Sequence, residues 1–330
     1  MEAFIVDTYR KAVEAASGGK NTVIRDKAGN PSVMVVIPKF KLEDIDSSLG
    51  TGTHPAFIVH GKEIPELYYP KYQNIVVNGC AVSQPGVDPT TSINFDTARA
   101  YATAKGPGWH LANNEEWAAI ALWSWKNNTQ PRGNNNYGCD INATYERGRE
   151  MNKDGGKTAR VATGSGPASW CHDGTPFGVS DMNGNVWEWQ DGLKIIGGHI
   201  YVHGEDGTPM NNYDTQNNQN DVTGWLDTGL FFADNTITNK AGGDSSCAFK
   251  DIKVASGVTV PAYFKALALQ PMTTNMKSDY FWQNKSDEKL ALRGGSWINQ
   301  SYAGVFHLNL GNPRSYAYWS VGFRAAYVPR

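Results

Sequence analysis

The residues with the most reactive side chains are the cysteines, and their spacing argues against a metal or redox site. They are Cys80, Cys139, Cys171 and Cys247. The sequence contains no CxxC pair, which excludes a zinc knuckle and a thioredoxin-like site. Scattered single cysteines are typical of buried free thiols in a chain made in a reducing cytosol.

The histidines offer one pair to consider. His199 and His203 flank Ile-Tyr-Val and could share one face of a strand, although lone histidines of this kind usually have structural partners. The others have no ligand spacing; among them are His54, His60, His110 and His172. Phosphate loops, nucleophile elbows and metalloprotease helices are absent from the sequence.

A loop at residues 178–189 is the better candidate for a cation site. It reads Gly-Val-Ser-Asp-Met-Asn-Gly-Asn-Val-Trp-Glu-Trp and could place two carboxylates and two backbone carbonyls around one hard cation, the oxygen set that calcium prefers. The ligands would be Asp181, Gly184, Val186 and Glu188. A metal-free loop in which Glu188 pairs with an arginine is an equally open alternative. Arg293 and Arg324 are lone charges in apolar surroundings, and we expect them to bond loop carbonyls or Glu188.

Composition excludes several classes of function. The 330 residues are 40% hydrophobic and only 19% charged, with a net charge of -2. This balance provides no basic surface, so neither nucleic-acid binding nor attraction to anionic membranes is expected. No apolar run approaches the ~20 residues of a membrane span, and the first twenty residues show no recognisable signal peptide.

The elements that position these residues are short. Periodicity predicts helices over 3–16, over 96–104 and from Asn113 or Asn114 onward, and strands at 33–37 and 56–59. From about residue 131 the chain is dense in Gly, Asn, Asp and Pro. The 35 glycines and 11 tryptophans indicate long ordered loops held by aromatic side chains, because disordered segments are poor in aromatics.

Four segments carry a family signature. They are residues 108–117 (Gly-Trp-His-Leu-Ala-Asn-Asn-Glu-Glu-Trp), residues 178–189, residues 292–297 (Leu-Arg-Gly-Gly-Ser-Trp) and residues 321–326 (Val-Gly-Phe-Arg-Ala-Ala). In this order and spacing they resemble the formylglycine-generating-enzyme (sulfatase-modifying-factor) branch of the C-type lectin fold, over roughly residues 50–193 and 291–330. Members of that family hold calcium at a loop of the 178–189 type.

The resemblance implies a fold and a domain organisation. The fold would be α+β, a loop-rich C-type-lectin-like domain at residues 46–330, preceded by an N-terminal extension at residues 1–45. Residues 194–290 lack the motifs of their flanks and are interpreted as an insertion. Residues 292–330 form the predicted variable region described below.

The resemblance also bears on catalysis. The resembled oxidases bind copper through a pair of cysteines after the Arg-Gly-Gly-Ser motif, but residues 292–330 contain no cysteine. A thiolate is the nucleophile and soft ligand that this chemistry needs. We therefore expect no enzyme activity. An oxidoreductase with an unrecognised metal site remains the alternative from a different class, although the related sulfoxide synthases need a histidine-rich iron site.

Residues 292–330 have an unusual composition. They contain no Asp, Glu or Lys, four arginines, and eight of Phe, Trp and Tyr. Between the motif anchors, small or apolar residues alternate with Tyr, Ser, Asn and Gly, the residue types of antibody-like binding surfaces. This arrangement resembles the variable region of a diversity-generating-retroelement protein, in which errors at template adenines convert asparagine codons into others.

The predicted ligand-binding positions follow from that resemblance: Ile298, Asn299, Tyr302, His307, Gly311, Asn312, Pro313, Ser315, Tyr316, Tyr318, Trp319 and Ser320. The tyrosines and Trp319 are expected as contact anchors, and Asn299, His307 and Asn312 as adaptable hydrogen-bonding groups. Gln300 and Trp319 depart from the pattern because an asparagine codon cannot give them by adenine substitution. The alternative is a Gly/Asn-rich loop whose aromatic side chains pack inward.

The implied function is a variable receptor-binding protein at a viral (phage) tail tip or a cell surface. Its partner would be a protein or another cell-surface ligand, and multivalent, for example trimeric, display would raise avidity. No cofactor would be required, apart from calcium in a structural role. A fixed carbohydrate-binding module is a further alternative, although the lectin motifs Glu-Pro-Asn and Gln-Pro-Asp do not occur.

Overall fold

Side-chain caps mark where the three longest helices begin. A computed structural model of the chain describes residues 7–329, so residues 3–6 of the predicted first helix lie outside the described residues. The α-helices are α1 (Thr8–Ser17), α2 (Leu42–Ile45), α3 (Phe95–Thr103), α4 (Asn114–Lys126) and α5 (Tyr263–Ala266). None of the helices in the described part of the chain has the length and apolar character to cross a membrane.

The caps place α4 as predicted but begin α1 at Thr8, so residue 7 of the predicted 3–16 helix lies outside the helix as its N-cap. The Asp7 carboxylate accepts a hydrogen bond from the Arg10 amide at 3.0 Å and begins α1. At α4 the Asn113 side chain accepts from the Glu116 amide (3.0 Å), while the Glu116 carboxylate accepts from the Asn113 amide (3.2 Å). This reciprocal capping box fixes the start of α4 at the residue that the sequence indicates.

Short strands make up most of the remaining regular structure. In the first half of the chain they are β1 (Asn21–Arg25), β2 (Pro31–Pro38), β3 (Ile58–Val59), β4 (Lys62–Glu63), β5 (Glu66–Pro70), β6 (Ile75–Val77), β7 (Cys80–Val82), β8 (Trp109–Leu111), β9 (Cys139–Asp140), β10 (Ala143–Arg147), β11 (Lys153–Asp154) and β12 (Lys157–Thr158). In the second half they are β13 (Trp187–Ile196), β14 (His199–Glu205), β15 (Thr208–Pro209), β16 (Trp225–Ala233), β17 (Thr236–Thr238), β18 (Ser245–Ala248), β19 (Lys253–Val254), β20 (Tyr280–Gln283), β21 (Glu288–Gly294), β22 (Gly304–Asn312), β23 (Val321–Phe323) and β24 (Ala325–Tyr327). Single turns of 3₁₀-helix occur at Ser47–Leu49, Pro55–Phe57, Ala168–Trp170, Phe249–Asp251 and Gln300–Tyr302.

The strand prediction at 56–59 is only half right. Residues Pro55–Phe57 form a 3₁₀ turn, and only Ile58–Val59 pair as a strand. Proline fixes its own backbone torsion at a helical value, and the His54 ring accepts a hydrogen bond from the Ala56 amide at 3.2 Å. These two local features override the apolar run.

Two sheets enclose α4. The smaller has the strand order β1-β2-β5-β24-β8, and the larger has the order β18-β20-β22-β21-β13-β14-β16-β17-β19, with β15 on β14 and β23 on β13. The main core joins both sheets around α4. The Trp117 indole also donates a hydrogen bond to the Val305 carbonyl at 2.7 Å, which ties α4 to β22. This mixture of helices and sheets confirms the α+β prediction.

The predicted extension and insertion both build the sheets. Residues 1–45 contribute β1 and β2, and β2 pairs with β5 of the predicted domain. Residues 194–290 contribute strands on both sides of the larger sheet: β14 pairs with β13, and β20 pairs with β22. Both segments are therefore continuous with the sheets that carry the family motifs.

Comparing the space around two glycines shows how tightly the 178–189 loop is packed. Gly184 and Gly207 have φ of +81° and +79°, but a Cβ at Gly184 would lie 2.1 Å from the Asn134 carbonyl oxygen, whereas Gly207 has open space. That carbonyl also accepts the Asn185 amide at 2.7 Å, which holds it in place. Gly207→Ala is expected to cost about 1 kcal/mol for the left-handed backbone alone, and Gly184→Ala at least ~3 kcal/mol because the backbone must also move.

Urea unfolding of the two variants measures this difference. Equal losses of unfolding free energy would show that the 178–189 loop has room to relax.

Candidate functional site

The predicted variable region places several large apolar side chains in solvent. Ile298, Tyr302 and Tyr318 are 47%, 52% and 51% exposed. Ile298 and Tyr302 lie on the turn before β22, and Tyr318 lies on the turn between β22 and β23. Both turns are attached to the larger sheet through β22 and β23, and the Trp319 ring of the second turn packs against Trp297, next to Ile298 of the first.

Ring contacts attach these turns to the scaffold. Tyr316 stacks on Tyr318 with 6.1 Å between ring centroids. Tyr318 meets Trp319 at 6.4 Å, and Trp319 packs edge-on against Trp297 at 4.7 Å. Trp297 is buried, whereas Tyr318 is half exposed. Trp319 therefore anchors the turn and leaves the neighbouring tyrosine available for contact.

Two further aromatic residues come from the predicted insertion. Trp282 is 50% exposed, and its strand runs parallel to β22 with Trp282 opposite Asn309. The Tyr280 ring lies 4.6 Å from the Tyr302 ring. The sequence analysis missed both residues, although alternation in Tyr280-Phe-Trp-Gln283 signals a strand with one exposed aromatic side. We define the aromatic face by its members: Tyr280, Trp282, Ile298, Tyr302, Tyr316 and Tyr318.

Two predicted positions lie beneath this face, and the structure corrects the expectation that they are exposed. His307 is 3% exposed, with its ring against Trp187 at 4.4 Å. Ser320 is 7% exposed, and its carbonyl accepts the Trp187 amide at 2.8 Å. His307 faces inward because it lies on β22 between neighbouring strands, where it is packed rather than displayed.

The remaining predicted positions differ in whether their side chains are hydrogen-bonded and in how far they are exposed. The Asn299 side-chain oxygen, Oδ1, accepts hydrogen bonds from the backbone amide and the hydroxyl of Ser296, at 2.7 and 3.0 Å. This side chain therefore shapes its own turn. The Asn312 amide donates to the Asn309 side chain at 3.3 Å. Gly311 and Asn312 are half-buried, whereas the last two predicted positions are exposed: Pro313 and Ser315.

Below the face, the predicted calcium ligands converge on a glutamine. The Gln73 amide nitrogen donates to the carbonyls of Asp181, Gly184 and Val186, at 3.2, 3.5 and 3.0 Å. It also donates to the Glu188 carboxylate at 3.0 Å. Three backbone carbonyls and the Glu188 carboxylate thus surround one amide nitrogen, whereas the Asp181 carboxylate, the other charged group of the predicted set, accepts from the Gly164 amide.

Glu188 has an arginine partner. The Arg324 guanidinium donates to both carboxylate oxygens, at 2.7 and 3.0 Å, and both side chains are fully buried. Arg324 also donates to the carbonyls of Pro70 and Ser180. The structure therefore shows the arginine partner that the second interpretation predicts for Glu188.

Arg293 is also buried, but its hydrogen-bond partners here are neutral. It donates to the Asn114 side chain at 2.7 Å and to the Ala268 carbonyl at 3.0 Å. Burial lowers the pKa of Arg293 to about 9. Asp181 is buried too: the Gly164 amide donates to one of its oxygens at 2.7 Å, and burial raises its pKa to about 6. Both groups are structural parts of the scaffold.

The reactive side chains singled out above are scattered. Within residues 7–329, no group of three His, Cys, Asp or Glu side chains is arranged to hold a metal ion. Burial raises the pKa of the thiols of Cys80 and Cys171, and that of Cys247 to about 11. A thiolate nucleophile is therefore disfavoured at these three cysteines.

Comparison with known families finds one match that covers nearly the whole chain. Residues 14–328 match the Sulfatase-modifying factor enzyme 1-like domain, FGE-sulfatase. No curated protein matches the sequence.

Three solved structures are similar to the chain at low identity. The Major Tropism Determinant P3c variant shares 13% identity over 93% of this chain, with a TM-score of 0.33, and this chain spans only 61% of its length. PvdO from Pseudomonas aeruginosa shares 15% identity over 93% of this chain and 97% of its own, with a TM-score of 0.39. Treponema denticola variable protein 1 shares 12% identity over 94% of this chain and 99% of its own, with a TM-score of 0.38.

The glutamine-centred loop makes a prediction about calcium. Treatment with EDTA is expected to leave the melting temperature unchanged, because Gln73 donates to the Gly184 and Val186 carbonyls and to Glu188, three of the four predicted calcium-binding groups. Gln73→Ala removes this buried donor from the loop carbonyls and is expected to cost about 3 kcal/mol, whereas Gln219→Ala at an exposed position is the matched control. Thermal unfolding measures both effects, and a loss of stability in EDTA that calcium restores would contradict the prediction.

The buried histidines predict loss of stability in acid. Burial lowers the pKa of His54, His172 and His203 to about 4, and that of His307 to about 3. Below pH 6.5 the unfolded chain binds these protons and the folded chain does not, so the contribution of these four histidines to stability falls from pH 6.5 toward pH 4. Asp181 and Asp279, whose pKa values burial raises to about 6, oppose this trend. So do Glu115, whose pKa burial raises, and His110, whose pKa Glu116 raises.

Replacing His307 isolates its contribution to the loss of stability in acid. His307→Phe is expected to reduce the stability lost between pH 7 and pH 5 by about 2 kcal/mol. Urea unfolding at the two pH values measures the change, and the buried aspartates cancel because both proteins contain them. His60→Phe is the control at an exposed ring. An identical pH dependence in wild type and His307→Phe would contradict the prediction.

Proposed function

Since this chain belongs to the Sulfatase-modifying factor enzyme 1-like domain family, we propose that it uses that family's scaffold to bind ligands through a diversified surface. In this proposal the aromatic face is the contact surface, and residues 298–320 supply its variable part. The ligand is a protein or another molecule on a cell surface. The face needs no cofactor to bind it.

The observation that supports this proposal is the concentration of exposed apolar side chains. Of the nine large hydrophobic side chains exposed within residues 7–329, four lie on the aromatic face: Trp282, Ile298, Tyr302 and Tyr318. A contiguous exposed apolar patch is a common sign of an interaction site. Tyrosine and tryptophan also dominate the binding energy of interfaces, since each buries a large area at small entropic cost.

The scaffold beneath the face suits a surface that varies. The sheet holds β22 between β20 and β21, and Trp297 and Arg293 are fully buried. Ile298, Tyr302, Ser315 and Tyr318 project outward. Substitutions at such exposed positions usually change stability by no more than about 0.5 kcal/mol, so the surface can change while the fold stays.

The cysteines support a proposal of a binding protein rather than an enzyme. The segment after the Arg-Gly-Gly-Ser motif has no cysteine, and burial disfavours the thiolate of Cys80, Cys171 and Cys247. We propose display at a viral tail tip or a cell surface. We also propose presentation in several copies, such as a trimer, because multivalent display raises avidity without new contacts.

Sequencing this gene and its flanking DNA across a natural population tests the proposal. We expect substitutions at the exposed positions Ile298, Tyr302, Ser315 and Tyr318, matched to adenines in a nearby near-copy of the segment. Trp282 is the internal control: it is as exposed as Tyr302 and lies on the same face, but outside residues 292–330. Template-directed diversification leaves Trp282 constant, whereas simple tolerance of surface mutation lets both residues vary.

Two outcomes would overturn the proposal. One is a uniform 298–320 segment without a template copy. The other is equal variation at Trp282, at the exposed Tyr145 elsewhere on the molecule, and within the segment.

A further inference from the structure

A buried cluster beside the aromatic face contains an amine, a primary amide and a carboxylate in contact. The Lys194 Nζ lies 3.4 Å from the Asn217 Oδ1 and 3.4 Å from a Glu288 carboxylate oxygen. Lys194 is 0% exposed, and Asn217 and Glu288 are each 3% exposed. Lys194 lies on β13 and Glu288 on β21, while Asn217 belongs to the loop between β15 and β16.

We propose that Lys194 and Asn217 are joined by an intramolecular isopeptide bond, formed with Glu288 as the proton carrier. The reaction is an acyl transfer in which an amine replaces ammonia on the side-chain amide carbon. It needs an unprotonated amine, a polarised amide and a group that moves one proton. Each of these requirements has a residue in the cluster.

Burial makes the neutral amine of Lys194 easier to form than that of a free lysine. The side chain is 0% exposed, and this burial lowers the pKa of Lys194. Carbonyl oxygens of Asn218 and Asp221, at 3.4 and 2.5 Å, orient the nitrogen. Glu288 is the carboxylate placed to carry a proton, since one of its oxygens lies 3.4 Å from the Lys194 Nζ.

The amide of Asn217 is held and polarised from both ends. The Arg314 Nη2 donates to the Asn217 Oδ1 at 3.0 Å, where negative charge develops when the amine attacks. The Asn217 nitrogen donates to the Asp191 carboxylate at 2.8 Å, which fixes the orientation of the amide. A fixed cation at the oxygen is the type of electrostatic stabilisation that contributes most in acyl transfer.

The step balances without any external reagent. Lys194 passes its ammonium proton to Glu288, and the neutral nitrogen attacks the Asn217 Cγ to form a C–N bond. Glu288 gives that proton to the Asn217 nitrogen as the bond from Cγ to this nitrogen breaks, and ammonia leaves. The attacking nitrogen then passes its second proton to Glu288, which leaves a neutral secondary amide. An amine and a primary amide become a secondary amide and ammonia, and nothing is oxidised or reduced.

Mass spectrometry of the intact wild-type chain tests the proposal. The expected mass is about 17 Da below that of the sequence, the mass of one ammonia. A tryptic digest should contain a branched peptide in which Lys194 is joined to Asn217. Glu288→Gln keeps the amine and the amide but removes the proton carrier, so it is expected to have the full mass. Lys194→Met and Asn217→Ala should also have the full mass.

Neighbouring substitutions are the matched controls. Lys289→Met and Gln219→Ala change a neighbouring lysine and a neighbouring exposed primary amide and are expected to keep the loss of ammonia. A wild-type chain of full mass without the branched peptide would overturn the proposal. So would a loss of ammonia that persists in Lys194→Met, because cyclisation of another asparagine gives the same mass. The branched peptide is read in the wild-type chain, so the test does not depend on the folding of a variant.

Discussion

The buried pair of Glu188 and Arg324 is the constraint on which the position of the aromatic face depends. Burying two charges is costly unless each is paired and its remaining hydrogen bonds are made. Arg324 meets this condition with the Glu188 carboxylate and the carbonyls of Pro70 and Ser180. Glu188 receives a further bond from the Gln73 amide. The chain can satisfy all of these groups only if the 178–189 loop, β5 and β24 meet in one arrangement.

Trp187 connects this buried arrangement to the aromatic face. Trp187 lies between Val186, whose carbonyl accepts from Gln73, and Glu188. Its amide donates to the Ser320 carbonyl, and its ring packs against His307. The position of the 313–320 turn is therefore set by backbone and by buried rings, while Tyr318 and Ser315 project from it. The side chains that face outward are not the ones that hold the turn, and this separation allows them to change.

The sequence predicts these features unequally, and the reason is distance along the chain. The capping box at Asn113 and Glu116 is local, so the start of α4 could be placed correctly. The 178–189 loop left calcium or an arginine partner open, because the choice depends on Gln73, more than a hundred residues before that loop. The burial of His307 could not be read from its neighbours, since the packing of β22 against β20 and β21 decides it. Tyr280 and Trp282 joined the face for the same long-range reason.

Arg314 shows why the segment at 194–290 is more than a lobe added to the family scaffold. It lies within the predicted variable region, yet it donates to the Glu288 carboxylate at 2.9 Å and to the Asn217 carbonyl at 2.9 Å. One framework arginine thus attaches the turn that carries Tyr316 and Tyr318 to the loop that contains Asn217. A covalent bond between Lys194 and Asn217 would fix that loop to β13 and, through Arg314, limit the motion of the turn. A binding surface loses less conformational entropy when its backbone is already held, so in the proposed binding role the insertion would act on affinity from beneath the aromatic face.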